Sequence, residues 1–251
     1  MVHFVGAGCG APDLITLRGK KLLEEADVII YAGSLVNPAL LRFASPDCTV
    51  YDSARMTLEE ILQVICDAEA AGKTTVRLHT GDPSLYSAVG EQLRALESRG
   101  ICCDITPGVS AFSGAAAALK AELTLPGVSQ TVILTRIGGK TPVPEQERLC
   151  LSASHGTTTV LYLSAGLLGK AVGELTAGGC PPDTPAAVVY KATWEDEKVC
   201  RCTVGTLEQT AAENGITKTA LIVVGNVLDS AFGRSQLYDP HYSTGFREAK
   251  R

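Results

Sequence analysis

The chain has 251 residues, 45% of them hydrophobic and 20% charged, enough apolar material for one sizeable core or two smaller ones. No apolar run approaches the roughly 20 residues of a membrane span, and Met1–Gly6 has no basic stretch leading into a long apolar run, so neither a membrane protein nor a secretory leader is expected. With 22 basic against 27 acidic side chains the net charge is −5, which argues against nucleic acid as a partner and leaves any anionic ligand to a local basic patch or to backbone N–H groups.

Val2–Val5 predicts a short strand that runs into a glycine-rich turn, Gly6-Ala-Gly-Cys-Gly-Ala-Pro12. A helix is predicted over Leu14–Ala26, a buried strand over Val28–Tyr31 and a third strand near Cys48–Tyr51. Thr57-Leu-Glu-Glu60 is a capping box. Leu58, Ile61, Leu62 and Ile65 follow it at helical spacing, and Gly72 closes that helix. Thr75–His79 predicts a strand ending in Gly81-Asp82-Pro83. A helix over Leu85–Ser98 and a strand over Ile101–Thr106 come next. Pro107-Gly108 then turns the chain into an Ala-rich helix, Ser110–Leu119. Such alternation predicts a parallel sheet with helices on both faces.

Residues 121–129 read as a linker, after which the alternation resumes. Strands are predicted at Thr131–Thr135, Thr158–Leu163, Ala186–Tyr190, Lys198–Val204 and Ala220–Val224. Helices are predicted near Glu145–Ala153, Leu167–Ala177 and Leu207–Asn214. The expected organisation is two α/β lobes, 1–122 and 123–228, followed by a polar, aromatic-spotted tail over 229–251.

The nine cysteines are odd in number and include no Cys-x-x-Cys pair. The four histidines show no ligand spacing either. No metal site is expected, and the thiols read as reduced, in a cytoplasmic protein.

In open parallel sheets, ligands bind beyond the carboxyl ends of the strands. Three loops qualify: Gly6–Asp13, Thr80-Gly-Asp-Pro83 and Pro107-Gly-Val-Ser-Ala111. The first fits a dinucleotide fingerprint at Gly6, Gly8 and Ala11. That reading needs an acidic residue at the far end of the second strand. Asp27 stands at the near end instead, and Pro12 interrupts the phosphate-binding helix. Asp82 suits either a turn cap or a ligand contact. A basic loop, Arg136-Ile-Gly-Gly-Lys140-Thr-Pro-Val-Pro-Glu145, suits anion capture, with Arg136 apt for bidentate carboxylate binding and Arg55 and Arg77 as further cations.

Val5-Gly-Ala-Gly8, Asp13-Leu-Ile-Thr-Leu-Arg-Gly19, Glu25-Ala-Asp-Val-Ile-Ile-Tyr31, Arg77-Leu-His-Thr-Gly-Asp-Pro83 and Thr106-Pro-Gly-Val-Ser110 together resemble the tetrapyrrole methylase family, over roughly residues 1–228. The resemblance implies an enzyme using S-adenosylmethionine, built as two α/β lobes with the active site in the cleft between them. It places the cofactor against Pro12, Gly81, Asp82, Leu85, Ser110, Ala111, Leu163 and Ala192. The segments Leu123–Pro126 with Gln130–Arg136, Gly139–Glu145 and Thr184–Trp194 are similar to the branch of the family that methylates ring carbon C-11 in cobalamin biosynthesis. The implied substrate is cobalt-precorrin-4, with metal-free precorrin-4 as the alternative, and Arg55, Arg136 and Lys140 would bind its acid side chains. Asp27 aligns with a proposed base in related enzymes; no other catalytic residue is implied. Relatives are commonly homodimers, with Tyr238 and Tyr242 available for a partner.

The sequence departs from the usual family pattern at Cys9 and Ala11, where Pro and Asp are usual, and at Lys140, where Arg is usual. The rival readings are an NAD-dependent oxidoreductase, a tetrapyrrole carrier with no methyl donor, and a family member acting on RNA or protein. The misplaced Asp27 argues against the first and the three glycine-bearing loops against the second; the acidic balance disfavours RNA, and the Thr141–Glu145 loop disfavours both RNA and protein.

Overall fold

Runs of Val, Ile and Leu set the strands, because branched side chains fit a pleated, buried surface. In the computed structural model, which describes residues 1–229 and 235–249, five of them form a wholly parallel sheet. These are β1 (Val2–Gly6), β2 (Val28–Tyr31), β3 (Thr49–Asp52), β4 (Thr75–His79) and β5 (Cys103–Thr106), in the order β3-β2-β4-β1-β5. Side chains alternate between the faces. Phe4 and Ile30 enter one core with Ile61, Leu62 and Ile65 of α2 (Leu58–Ala70). Val5, Ile29, Val76 and Leu78 enter the other with Leu23 of α1 (Leu17–Glu25). Both faces are covered, as a parallel sheet requires. The capping box closes as expected: the Thr57 hydroxyl accepts from the Glu60 N–H at 3.3 Å, and the Glu60 carboxylate accepts from the Thr57 N–H at 2.7 Å.

Two helices begin later than their hydrophobic spacing predicts. Pro12–Leu14 is a separate 3-10 turn, and Thr16 caps α1 by accepting the Gly19 N–H at 3.0 Å. The helix predicted from Leu85 is α3 (Val89–Glu97). Tyr86 and Ala88 have φ of 54° and 53°, a left-handed conformation that no right-handed helix contains. Helix α4 (Ala111–Leu119) matches its prediction within one residue.

The second sheet is mixed. It comprises β6 (Val132–Arg136), β7 (Thr158–Tyr162), β8 (Pro185–Tyr190), β9 (Lys198–Thr203) and β10 (Ala220–Val224), in the order β6-β7-β10-β8-β9. Only β6 and β7 pair in parallel; the other three pairings are antiparallel. Leu161, Val188 and Ile222 pack with Leu168, Ala171 and Leu175 of α6 (Leu168–Ala177) and Leu207 of α7 (Leu207–Glu213). The helix predicted over Glu145–Ala153 is broken: a 3-10 turn, Glu145–Glu147, precedes an extended Arg148, and α5 spans Leu149–Ala153.

The chain divides into two compact units, Met1–Ala115 with Lys191–Glu197, and Ala116–Tyr190 with Lys198–Arg251. The expected boundary at 122 thus falls a few residues late, and nothing in the local pattern signals that Lys191–Glu197 rejoins the first unit. The expected linker is packed: Leu123 and Leu125 are buried, and the Thr158 hydroxyl donates to the Leu123 carbonyl at 2.8 Å. Part of the expected tail, residues 230–234 and 250–251, lies outside the described residues. All nine cysteines are free thiols. No helix among the described residues is long and apolar enough to cross a membrane.

Candidate functional site

Because the first sheet is wholly parallel, the carboxyl ends of β1, β4 and β5 lie along one edge, and their loops meet there. The Ala7 N–H donates to the His79 carbonyl at 2.7 Å. Gly8 and Gly81 exchange N–H···O bonds of 3.2 and 2.9 Å. A Cβ on Gly6 would fall 2.6 Å from the Gly108 Cα, and one on Gly108 would collide with the Gly81 carbonyl. Glycine is therefore required for three backbones to approach this closely. The position of Gly81 also brings it against the start of α4, at Ser110 and Ala111.

Asp82 ties two of these loops together. One carboxylate oxygen accepts from the Ser84 N–H at 2.9 Å and from the Ser84 hydroxyl; the other accepts from the Gly108 N–H at 2.9 Å. Burial pushes its carboxyl up, but the Ser84 hydroxyl and the Gly108 and Ser84 N–H groups together hold it below the ordinary carboxylate value. Asp82 is thus a fixed anion at neutral pH. Leu85 follows in the same turn, donating its N–H to the Asp82 carbonyl at 3.2 Å.

The segment Lys191–Glu197 completes this edge. The Thr193 hydroxyl accepts from the Ala11 N–H at 3.0 Å, and Ala192 is buried. Gly10 abuts the Trp194 ring, and Gly114 of α4 abuts Cys9 and Ala192. The structure thus gathers Pro12, Gly81, Asp82, Leu85, Ser110, Ala111 and Ala192 within the first unit. Thr193 and Trp194 were missed as its partners, since their contacts lie more than 180 residues away in sequence.

Other expected residues stand elsewhere. Leu163 follows β7 in the second unit, 62% exposed and with φ of 52°. Beside it, the buried Ser164 hydroxyl accepts from the Ile137 N–H at 3.1 Å and donates to the Tyr162 carbonyl at 2.7 Å. Arg136 corrects an expectation. Its guanidinium donates to the carbonyls of Thr141 at 3.1 Å and Pro142 at 2.6 Å, so the fork expected to take a ligand carboxylate clasps its own loop. Lys140 is exposed in that loop, and Arg55 is exposed at the end of a 3-10 turn, Ser53–Arg55, in the first unit.

The Asp27 expectation is also corrected. Its carboxylate accepts the Thr74 N–H at 2.8 Å at the amino end of β2. The length of a strand separates it from the loop edge, so it is not placed to act as a base there.

The reading of Arg77 as a further cation for anion capture is corrected too, since it belongs to a buried polar row. Arg77 and His79 lie on one face of β4, 5% and 3% exposed. Arg77 donates to Gln92 at 3.1 Å and to the Ile30 carbonyl at 3.1 Å, and burial pushes its guanidinium down to about 10. Burial, then the Arg77 charge, push the His79 imidazole down to about 3, and it stacks on Phe4 at 5.8 Å. Polar residues two apart in a strand read as a solvated face, which hides this row.

A family model described as tetrapyrrole (corrin/porphyrin) methylases matches residues 1–208. The chain belongs to the tetrapyrrole methylases. That membership displaces the dinucleotide reading of Gly6, Gly8 and Ala11. Among tetrapyrrole methylases, it is 50% identical to cobalt-precorrin-4 C(11)-methyltransferase of Methanocaldococcus jannaschii, over all of this chain and 97% of the relative. It is 46% identical to precorrin-4 C(11)-methyltransferase of a Sinorhizobium species, over 98% of each. A solved cobalt precorrin-4 methyltransferase superposes with TM-score 0.89 at 48% identity, covering 91% of this chain and 96% of that one. Uroporphyrin-III C-methyl transferase of Thermus thermophilus, solved in complex with S-adenyl homocysteine, superposes with TM-score 0.76 at 26% identity, over 91% and 93%.

Proposed function

We propose that this tetrapyrrole methylase transfers a methyl group from S-adenosylmethionine to C-11 of cobalt-precorrin-4 in cobalamin biosynthesis. The observation that carries the reading is the 50% identity, over the whole chain, to an enzyme of that name. Metal-free precorrin-4 is the second reading, favoured by relatives of that name at 46% and 47% identity.

The loop edge of the first unit fits the donor. A fixed carboxylate, Asp82, stands beside backbone that carries no Cβ at Gly6, Gly81 and Gly108, and beside the small side chains of Ser110, Ala111 and Ala192. Pro12, Gly81, Asp82, Leu85, Ser110, Ala111 and Ala192 would hold the donor in this reading; Leu163 is assigned to it by resemblance. When bound, the donor supplies a methyl group on a positively charged sulfonium. What remains for the chain is orientation, which can contribute about 7–11 kcal/mol to lowering such a barrier. Asp82 positions and does not serve as a base, since its oxygens are committed to Ser84 and Gly108. Lys140 and Arg55 would meet the acid side chains of the macrocycle, and Arg136 would act by holding the Lys140 loop in shape. A cytoplasmic homodimer completes the reading.

The test is mass spectrometry and NMR of cobalt-precorrin-4 after incubation with the protein and S-adenosylmethionine. One added methyl at C-11 is expected. A methyl elsewhere refutes the C-11 reading, and turnover of metal-free precorrin-4 alone favours the second. Light scattering after gel filtration tests the dimer.

A further inference from the structure

The segment between Asp82 and α3 is held in a conformation that its residues do not favour. Tyr86 and Ala88 both take left-handed φ, and neither is glycine, asparagine or aspartate. Several groups enforce it. Asp82 grips Ser84, the Ser87 hydroxyl donates to the Pro83 carbonyl, and the Gln92 amide donates to the Ala88 carbonyl at 3.2 Å. Gln92 is in turn held by buried Arg77, which also grips the Ile30 carbonyl in the middle of the sheet. No carboxylate pairs with Arg77 among the described residues. An uncompensated buried cation and two unfavourable backbone positions persist only where surrounding structure imposes them, and such features gather at ligand sites.

The outcome of this bracing is an aromatic ring, 44% exposed, four residues beyond Asp82. A regular helix from Leu85 would aim that side chain elsewhere. We propose that Tyr86 orients the macrocycle of the substrate by stacking on its conjugated face, with Arg77 and Gln92 as the positioning residues that hold it there. The inference rests on the proposed function. A partly exposed aromatic ring on a braced backbone suits packing against the conjugated part of a macrocycle. The donor contacts proposed above stop at Leu85, and Tyr86 is assigned to the second substrate.

The test uses the full chain, with cobalt-precorrin-4 titrated in the presence of S-adenosylhomocysteine and followed by absorbance. Tyr86→Ala is expected to weaken macrocycle binding about tenfold. Its S-adenosylhomocysteine affinity, measured by calorimetry, is expected to match wild type. In turnover, KM for the macrocycle should rise while kcat holds. Tyr86→Phe should restore binding, since it keeps the ring. Wild-type macrocycle affinity in Tyr86→Ala, equal loss of both ligands, or no rescue by Phe would each overturn the proposal. Wild-type protein that binds the macrocycle without methylating it refutes the proposed reaction and leaves this test standing. Wild-type protein that does not bind the macrocycle overturns both.

Discussion

The two sheets hold their strand-end loops by different means. In the first, backbone meets backbone: Ala7 to His79, Gly8 to Gly81, and Gly6 against Gly108. In the second, side chains reach the loops: Ser164 joins Ile137 to Tyr162, Arg136 clasps Thr141 and Pro142, and Lys170 donates to the Gly138 carbonyl at 2.7 Å. The difference lies in the residues and not in strand direction, since β6 and β7 are parallel neighbours too. Glycines let the first set of backbones touch, whereas side chains span the gaps in the second. Backbone locking should therefore fail when an atom is added, and side-chain locking when one is removed.

The largest expected effect tests the first half of that contrast. Gly108→Ala adds a Cβ against the Gly81 carbonyl and Gly6, both backbone, which cannot rotate away. A loss of about 3 kcal/mol or more is expected in urea unfolding. A loss below 1 kcal/mol would mean that the loops are not locked.

Acid should then strain the first unit. The buried His79 imidazole, pushed down from 6.5 to about 3, stays neutral while the unfolded chain takes up a proton. Its contribution is complete above pH 6.5 and is lost as pH falls toward 3, at up to about 1.4 kcal/mol per pH unit. Asp82, held low, adds to the slope in the same direction as its own protonation approaches. Stability measured from pH 7 to 4.5 should fall, and His79→Phe, which keeps a ring against Phe4, should flatten the curve. An unchanged slope would show that His79 is not the group responsible.

In the second unit, truncation is the sensitive change. Ser164→Ala leaves the Ile137 N–H without its partner, for an expected loss of about 2 kcal/mol. Thermal unfolding checks it, and a loss as small as that of an exposed serine would refute side-chain locking. The smallest effect serves as a control. Thr57→Ala removes half of an exposed capping box at the start of α2 and should lower stability by about 1 kcal/mol in the same thermal measurement.

Local chemistry made much of this architecture legible. The strand cores, the Thr57 capping box and the alternation of strand and helix follow from hydrophobic period and turn residues, which act within a few positions. Gly6, Gly81 and Gly108 announced close backbone approach without saying what approached. The late start of α3 was not legible, because hydrophobic spacing from Leu85 onward is helical while the Asp82 carboxylate and the Gln92 amide impose left-handed turns. The order of the second sheet was not legible either, since a buried strand reads alike in both directions.

By itself, the sequence determined that this chain forms two α/β units whose glycine-bearing loops follow strands, and its motifs placed it among tetrapyrrole methylases. Only the tertiary structure decided which atoms those loops meet. It tied the Asp27 carboxylate to the Thr74 N–H, closed the Arg136 fork on its own loop, and brought Thr193 and Trp194 against Ala11 and Gly10. Element type depends on neighbours in sequence, whereas the partner of a guanidinium, a carboxylate or a missing Cβ depends on chain segments that only folding brings together.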